Sequence, residues 1–328
     1  LTPIRYLRNK EKLHKAAEKT IAEFGRPYSE ELCRDMVWKY CRHMTSLKEY
    51  FKYGLEGKTP KQIEEFVGSR ELRFWVSRFN DPDKRNIFSN KYDTYLTFKK
   101  YYKRQVIKAD NPEDEEPFKR FVLSHEKVSV KPLNGQSGAG VRWIQACDDG
   151  EAYKLFYQLM NDYPKGFVAE EPIEQCKDMK AFHPQSVNTL RITSILHKDG
   201  VRIWHPFMRC GMGDAIVDNY CTGGLMILID PDTGVTQNCI DNLGRPYETH
   251  PDTGKTLKGC QIPRWDEALE LVRELARVVP KIRYVGWDLA LTDTGWVVVE
   301  GNSRPSMMQQ GVNKEGYKKE FKRELRKK

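Results

Sequence analysis

A lysine carried on an apolar strand and followed by glycines could do chemistry on phosphate. The stretch is Val128-Ser129-Val130-Lys131-Pro132-Leu133-Asn134-Gly135-Gln136-Ser137-Gly138-Ala139-Gly140-Val141. Glycines let backbone N–H groups approach phosphate oxygens, and the lysine adds a point charge. Gly135 and Gly140 share the spacing of half a Walker A loop. However, Val141-Arg142 stand where Lys-Ser/Thr is required, and the dinucleotide pattern G-x-G-x-x-G is not met either. Taken alone, the stretch fits a flexible surface loop equally well.

A second group is Trp287-Asp288-Leu289 followed by Val298-Val299-Glu300-Gly301-Asn302-Ser303-Arg304-Pro305. Residues two apart on a strand face the same side, so Glu300 and Asn302 project together. A hairpin partner can bring Asp288 alongside. Three hard oxygen donors near a phosphate suit Mg²⁺, which shares its ligands with nucleotide oxygens. The competing reading is a polar strand end with a turn.

Two further groups are weaker. Phe167-Val168-Ala169-Glu170-Glu171-Pro172-Ile173-Glu174 reads as a short buried strand whose end could present backbone groups and an acid to adenine. Ser186-Val187-Asn188-Thr189-Leu190-Arg191, Arg209, Asp218-Asn219 and Thr222-Gly223-Gly224 form a row of basic and small residues. Arginines alternating into one groove bind phosphoryl or carboxylate groups bidentately. Any single one of them could equally be a surface salt bridge.

These groups need elements to hold them. Leu13, Ala17, Ile21 and Phe24 share a helical face, as do Leu32, Met36, Tyr40 and Met44, and as do Leu72, Trp75, Val76 and Phe79. Ser46…Glu49 and Thr59-Pro60-Lys61-Gln62 read as capping boxes. Asn80-Asp81-Pro82-Asp83 breaks the helical texture and sets a boundary. Asn111–Pro117 reads as an acidic loop. Beyond it come strands and hairpins: Leu190–Leu196 and Val201–Phe207 about Lys198-Asp199-Gly200, then Leu225–Ile229, then Trp287–Leu291 with Trp296–Glu300. One amphipathic helix, Trp265–Val279, intervenes. The expected class is α+β, with a helical region over 1–83, a lobe over 84–180 that carries the glycine loop, and a lobe over 181–328 that carries the metal donors and a basic tail.

Composition excludes several classes. Of 328 residues, 39% are hydrophobic and 31% charged, as in a folded globular protein, and no apolar run approaches a membrane span. The first residues show no secretory pattern, and a cytoplasmic protein is expected. The eight cysteines contain no C-x-x-C pair, so reduced, mostly buried thiols are expected rather than a metal cluster. Asp-Thr-Gly occurs at 232–234, 252–254 and 293–295. Such triplets occur in aspartic proteases, but Asp and Gly also satisfy turns, and hairpin apices explain them better. The net charge of +9, with its basic tail over 318–328, reads either as a solvated helix end or as attraction to an anionic partner such as ATP, an acidic glycan or lipid-linked sugar, or a membrane surface. No motif for nucleic acid accompanies it.

The order of these pieces resembles the ATP-grasp superfamily, and more narrowly its sugar-transfer-associated family, over roughly 84–311. The resemblance rests on the Lys-Pro strand and glycine loop, Glu171-Pro172-Ile173-Glu174-Gln175, Ser186–Arg191, Asp218–Gly224, His250-Pro251…Gly254, Ile262-Pro263-Arg264-Trp265, and Gly286-Trp287-Asp288 through Asn302. It implies two α+β lobes that clasp ATP. Lys91 and Lys131 would contact the phosphates under the loop Gly135–Gly140, that is Gly135, Gln136, Ser137, Gly138 and Gly140. Glu170 would meet the adenine amino group, with Glu171, Pro172 and Ile173 as hinge and Glu174 or Asp178 at the ribose. Asp288, Glu300 and Asn302 would hold Mg²⁺. Arg191, Arg209 and Arg304 would serve catalysis, and Asn188, Asn219, Gly223, Gly224 and Arg304 the substrate. Two departures stand out. Gly286 occupies a position where related ligases carry an arginine, and Cys176 one where histidine is common.

The implied reaction joins a small-molecule carboxylate to an amine through an acyl-phosphate, a task of positioning and charge stabilisation. The acid would be a sugar acid, amino acid or peptide, in surface-polysaccharide or natural-product synthesis. The alternatives are a small-molecule kinase on the same nucleotide site and a non-catalytic ATP- or glycan-binding partner.

Overall fold

A computed structural model describes residues 3–135 and 140–327, with side chains from residue 11 onward. Gln136, Ser137 and Gly138 of the glycine loop lie outside the described residues. The helical start follows the apolar spacing: α1 (Pro3–Glu23), α2 (Glu30–His43), α3 (Leu47–Lys52), α4 (Pro60–Ile63) and α5 (Ser69–Phe79). Both capping boxes form. At α3 the Glu49 carboxylate accepts the Ser46 N–H at 2.6 Å, and at α4 Gln62 accepts from Thr59 at 2.9 Å. Ala17, Ile21, Leu32 and Met36 are buried together, whereas Met44 is exposed because it caps α2 in the left-handed conformation.

The smaller sheet follows. In chain order come α6 (Lys91–Tyr102), β1 (Val106–Ala109), α7 (Glu115–Leu123), β2 (Val128–Pro132), β3 (Arg142–Ile144), α8 (Asp149–Asp162) and β4 (Phe167–Glu170). The strands pair antiparallel in the order β1-β4-β2-β3. Its core joins Phe118 and Phe121 of α7 and Phe156 of α8 to Phe167 and Val130 of the strands. The acidic stretch expected as a loop is instead a helix start. Asn111 caps a single 3₁₀ turn, Pro112–Asp114, that runs into α7. Pro117 sits in the first turn of α7, where a missing N–H costs no intrahelical bond.

The larger sheet contains α9 (Lys177–Lys180) and β5 (Thr189–His197), β6 (Gly200–Cys210), β7 (Leu225–Ile229) and β8 (Thr236–Asp241). It continues through α10 (Trp265–Val278), β9 (Tyr284–Thr292), β10 (Gly295–Asn302), α11 (Gln310–Asn313) and α12 (Lys318–Arg326). The strands run antiparallel in the order β10-β9-β5-β6-β7-β8. Ala268, Leu269, Val272, Leu275 and Ala276 of α10 face the core of this sheet. Elsewhere, Trp75 and Phe79 of α5 pack with Phe321 of α12, Ile195, Trp204 and Tyr284. Asn80 is itself buried. Its amide donates to the carbonyls of Tyr284 and Ser303, both at 2.7 Å, and its oxygen accepts the Tyr284 N–H at 2.8 Å. The helical region is therefore fastened to the strands that carry the metal-donor candidates.

All three Asp-Thr-Gly triplets lie in turns: between β7 and β8, between β9 and β10, and beside the Thr249–Thr256 bridge. The eight cysteines are free thiols, with Cys33, Cys210 and Cys239 buried but Cys147 and Cys221 exposed. Among the described residues no helix is long and apolar enough to cross a membrane.

Candidate active site

Strand register builds the centre of the site. Residues paired across an antiparallel ladder point to the same face. Arg191 on β5 pairs with Asp288 on β9, Asp288 pairs with Glu300 on β10, and Phe207 on β6 pairs with Arg191. The row therefore reads Phe207–Arg191–Asp288–Glu300 across four strands. A bulge between Val298 and Glu300 makes it possible. Val298 pairs with Leu289, so an unbroken ladder would set Val299 against Asp288 and turn Glu300 to the opposite face. Asn302, two residues on, pairs with Gly286 on the same face.

Asp288 is 1% exposed and doubly neutralised. Arg191 grips it with two parallel bonds, from Nε to Oδ1 and from Nη2 to Oδ2, the second at 2.8 Å. Arg209 Nη2 lies 2.8 Å from Oδ2. Burial pushes this carboxyl up, but the two guanidiniums outweigh it and hold it below the usual range. Arg209 is oriented in turn by the Thr189 hydroxyl, at 2.8 Å, and Thr189 bonds Asp218. Neither Arg191 nor Arg209 uses its Nη1 on a described residue.

Glu300 is different. Burial and the adjacent Asp288 both raise its carboxyl, and Lys91, Arg191 and Lys131 offset this only in part. Neither Glu300 nor Asn302 has a side-chain hydrogen bond or ion pair to a described residue. A half-buried carboxylate that faces the cleft beside a second carboxylate and an amide oxygen is the donor chemistry of a hard divalent cation. No cluster of three His, Cys, Asp or Glu side chains with metal geometry occurs among the described residues. A cation here would thus be completed by the amide and by ligand oxygens.

The smaller sheet supplies the opposite wall of the same cleft, whose volume is about 630 Å³. Ser129 pairs with Glu170 across β2 and β4, and Lys131, opposite Val168, lies two residues on along the same face. Lys131 Nζ and Arg104 Nη2 reach Glu170 Oε2 at 3.1 and 2.8 Å, and all three side chains are largely buried. Burial would raise Glu170, but Lys131 and Arg104 hold it at about 2. Arg104 also donates to the Val298 carbonyl on β10 at 2.6 Å, so one side chain ties the two sheets together. Lys91 opens α6, where its N–H donates to the Leu133 carbonyl at 3.0 Å and its Nζ to the Gly135 carbonyl at 3.2 Å. Burial lowers this amine, with Glu300 and Glu170 opposing. The Gly140 carbonyl accepts the Tyr163 hydroxyl at 2.6 Å.

Lys91, Lys131, Gly135, Glu170, Glu171, Ile173, Arg191, Arg209, Asn219, Asp288, Glu300, Asn302 and Arg304 all line this cleft. Pro172 and Glu174 line a second cavity of about 390 Å³, which shares Trp143, Ile173 and Val187 with the first. Asp178 is exposed and lines neither. Asn188 is not brought to the cleft. It is fully buried, and its amide donates to the carbonyls of Met179 and His183, both at 2.9 Å. Gly223 and Gly224 also lie off the cleft, and a Cβ on Gly224 would stand 2.8 Å from the Cys210 carbonyl oxygen. Sequence reasoning missed Arg104 and Trp143. A lone arginine after a helix carries no signal, and nothing in the spacing around Trp143 marks it.

Gly286 has a specific reason. A Cβ there would approach Pro305 Cβ at 2.7 Å and Arg191 Cδ at 3.0 Å. The space above Gly286 is thus filled by Pro305 and by the Arg191 side chain arriving from β5.

Two antiparallel lobes that close a lysine- and arginine-lined cleft over an Asp…Glu-x-Asn hairpin have the layout of an ATP-grasp protein. The chain belongs to the sugar-transfer associated ATP-grasp family, which it matches over residues 73–324. That span takes in most of α5 and α12, the two helices that stack through Trp75 and Phe321. No curated protein matches the chain. Solved structures similar to it include D-alanyl-alanine synthetase A from Vibrio cholerae, at 10% identity, TM-score 0.45, 73% of this chain and 64% of that one. D-alanine-D-alanine ligase from Helicobacter pylori gives 12%, 0.46, 74% and 61%. N5-carboxyaminoimidazole synthetase from Staphylococcus aureus, complexed with ADP, gives 12%, 0.45, 74% and 53%. The chain covers less than two thirds of each of these three.

Proposed function

We propose that the chain is an ADP-forming carboxylate–amine ligase that uses Mg²⁺ and ATP and works through an acyl-phosphate. The observation that carries this reading is the row Arg191–Asp288–Glu300, which shares one cleft with Lys91 and Lys131. Cations on one wall and oxygen donors on the other suit a metal-bound triphosphate laid between them.

Lys91 and Lys131 take the phosphates. Glu170 Oε1, which has no hydrogen bond to a described residue, receives the adenine amino group, and Glu171–Ile173 form the hinge. The ribose falls to Glu174, on the wall of the second cavity, rather than to Asp178. Asp288, Glu300 and Asn302 hold Mg²⁺, which when bound draws charge off the phosphate oxygens. The substrate carboxylate oxygen attacks the γ-phosphorus and ADP leaves; the amine then attacks the acyl carbon and phosphate leaves. The free Nη1 groups of Arg191 and Arg209 stabilise charge on the transferred phosphoryl group, in the place that Gly286 leaves without an arginine of its own. Arg304 and Asn219, at the cleft wall, meet the substrate.

ATP consumption against pooled carboxylates and amines, with mass spectrometry of products, tests the reading. ADP, phosphate and a new amide support it. ADP with a stable phosphorylated product would make the chain a kinase instead. Nucleotide binding without any ADP release would leave a binding protein. A role in polysaccharide synthesis rests on the family's name alone.

A further inference from the structure

The face of the larger sheet changes character along its own rows. From β10 to β6 the central row runs Glu300, Asp288, Arg191, Phe207, that is carboxylates, then a guanidinium, then an aromatic ring. The next row repeats the trend, because Thr189 pairs with Arg209 and Arg209 pairs with Met226 on β7. Paired residues share a face, so Phe207 and Met226 continue the arginine floor without a break. They belong to an apolar cluster with Tyr220, against which Met308 packs. Phe207, Tyr220, Met226 and Met308 line the same cleft as the arginines, and Ile216 joins them while 44% exposed.

We propose that this end of the cleft holds the body of the carboxylate substrate, and that the body is apolar, an aryl or branched-alkyl group rather than a polyol. The inference rests on the ligase reading of the same cleft and narrows its acid. A carboxylate within reach of the Nη1 groups of Arg191 and Arg209 places the rest of its molecule over Phe207 and Met226. Apolar contact there covers the exposed Ile216 and the half-buried Met308, which is favourable. Sugar hydroxyls set against Phe207, Met226, Ile216 and Met308 would exchange water for apolar side chains, at a cost for each unmatched group. The exposed Ile216 is then one wall of a subsite and is covered when the acid binds.

Calorimetry on the full chain tests this, with 3-phenylpropanoate and 4-methylpentanoate set against galacturonate, each titrated with and without Mg²⁺ and AMP-PNP. The expected result is at least tenfold tighter binding of the two apolar acids than of galacturonate. Ile216→Asp and, separately, Met308→Asp should weaken the apolar acids about tenfold and leave AMP-PNP affinity unchanged. Equal affinities, tighter galacturonate, or binding of none of the three acids would overturn the proposal. Absence of AMP-PNP binding would instead strike at the ligase reading, and the acid comparison without nucleotide would still decide this one.

Discussion

Glu300 stands directly opposite Asp288 across β9 and β10, and only one of the two carboxylates has a counter-charge in contact. Asp288 is held by Arg191 and Arg209, whereas Glu300 faces the cleft with its carboxyl raised and with no ion pair to a described residue. The ionised form of Glu300 is therefore disfavoured by burial and by Asp288, at a place where a cation would offset both.

Glu300→Gln separates stability from function. The raised carboxyl means that the folded chain binds this proton more tightly than the unfolded chain does. The ionised form thus destabilises above the raised pKa, and the penalty fades as pH falls through it. The variant should melt higher than wild type at pH 7–8 and lose that advantage near pH 4. Mg-ATP turnover should fall by about 100-fold or more, and Asn302→Ala should lower it in the same direction. Melting curves across pH and an ADP-release assay check both parts; wild-type turnover in both variants would remove the metal assignment.

Lys131→Ala should weaken ATP binding roughly 10- to 100-fold, the effect of losing a hydrogen bond to a charged group. The same lysine helps hold Glu170 at about 2. A folded-state pKa so depressed stabilises the protein above the ordinary carboxylate range and is lost as pH falls from about 4.5 towards 2. Removing Lys131 leaves Arg104 alone to oppose burial, so acid unfolding should begin at higher pH. Isothermal titration with ATP and an acid-denaturation series measure the two effects, and unchanged nucleotide affinity would refute the phosphate role.

Arg104 bonds Glu170 of the smaller sheet and the Val298 carbonyl of the larger one. Arg104→Ala strands a buried carboxylate with only one partner, so a loss of about 3–5 kcal/mol is expected. Lysine at this position keeps the charge but not the forked geometry, and should recover part of the loss. Denaturant unfolding of both variants, with wild type as reference, provides the check.

Gly286→Ala puts a methyl group 2.7 Å from Pro305 Cβ and 3.0 Å from Arg191 Cδ. Overpacking of this kind costs about 1–3 kcal/mol and should push Arg191 off Asp288. Turnover should fall about tenfold or more while ATP affinity changes little, and Arg191→Lys should show the same split. Steady-state kinetics together with nucleotide titration distinguish this from general unfolding, which would lower both.

Much of the framework was legible because it is local. The capping boxes at Ser46 and Thr59, the apolar face of Trp265–Val279 and the hairpin about Lys198-Asp199-Gly200 are set by residues within a few positions of one another, and each formed as spacing predicts. The stretch Asn111–Pro117 was misread as a loop because an acidic, proline-bounded run suits a first helical turn as well as it suits a turn. Asn188 misled for a related reason: a polar side chain in a loop reads as a ligand contact until its partners are known, and its partners are buried carbonyls.

By itself the sequence determined that Glu300 and Asn302 share a face, since alternation along one strand is a property of that strand. Only the tertiary structure decided that Asp288 joins them. Counting straight back from the hairpin turn sets Val299 against Asp288, and one bulged residue reverses the outcome. Pairing of β5 with β9 then delivered Arg191 into the space above Gly286, and packing of the two sheets delivered Arg104 to Glu170. Each of these contacts joins residues far apart in the chain, and ladder register and lobe packing are settled by the whole core rather than by spacing.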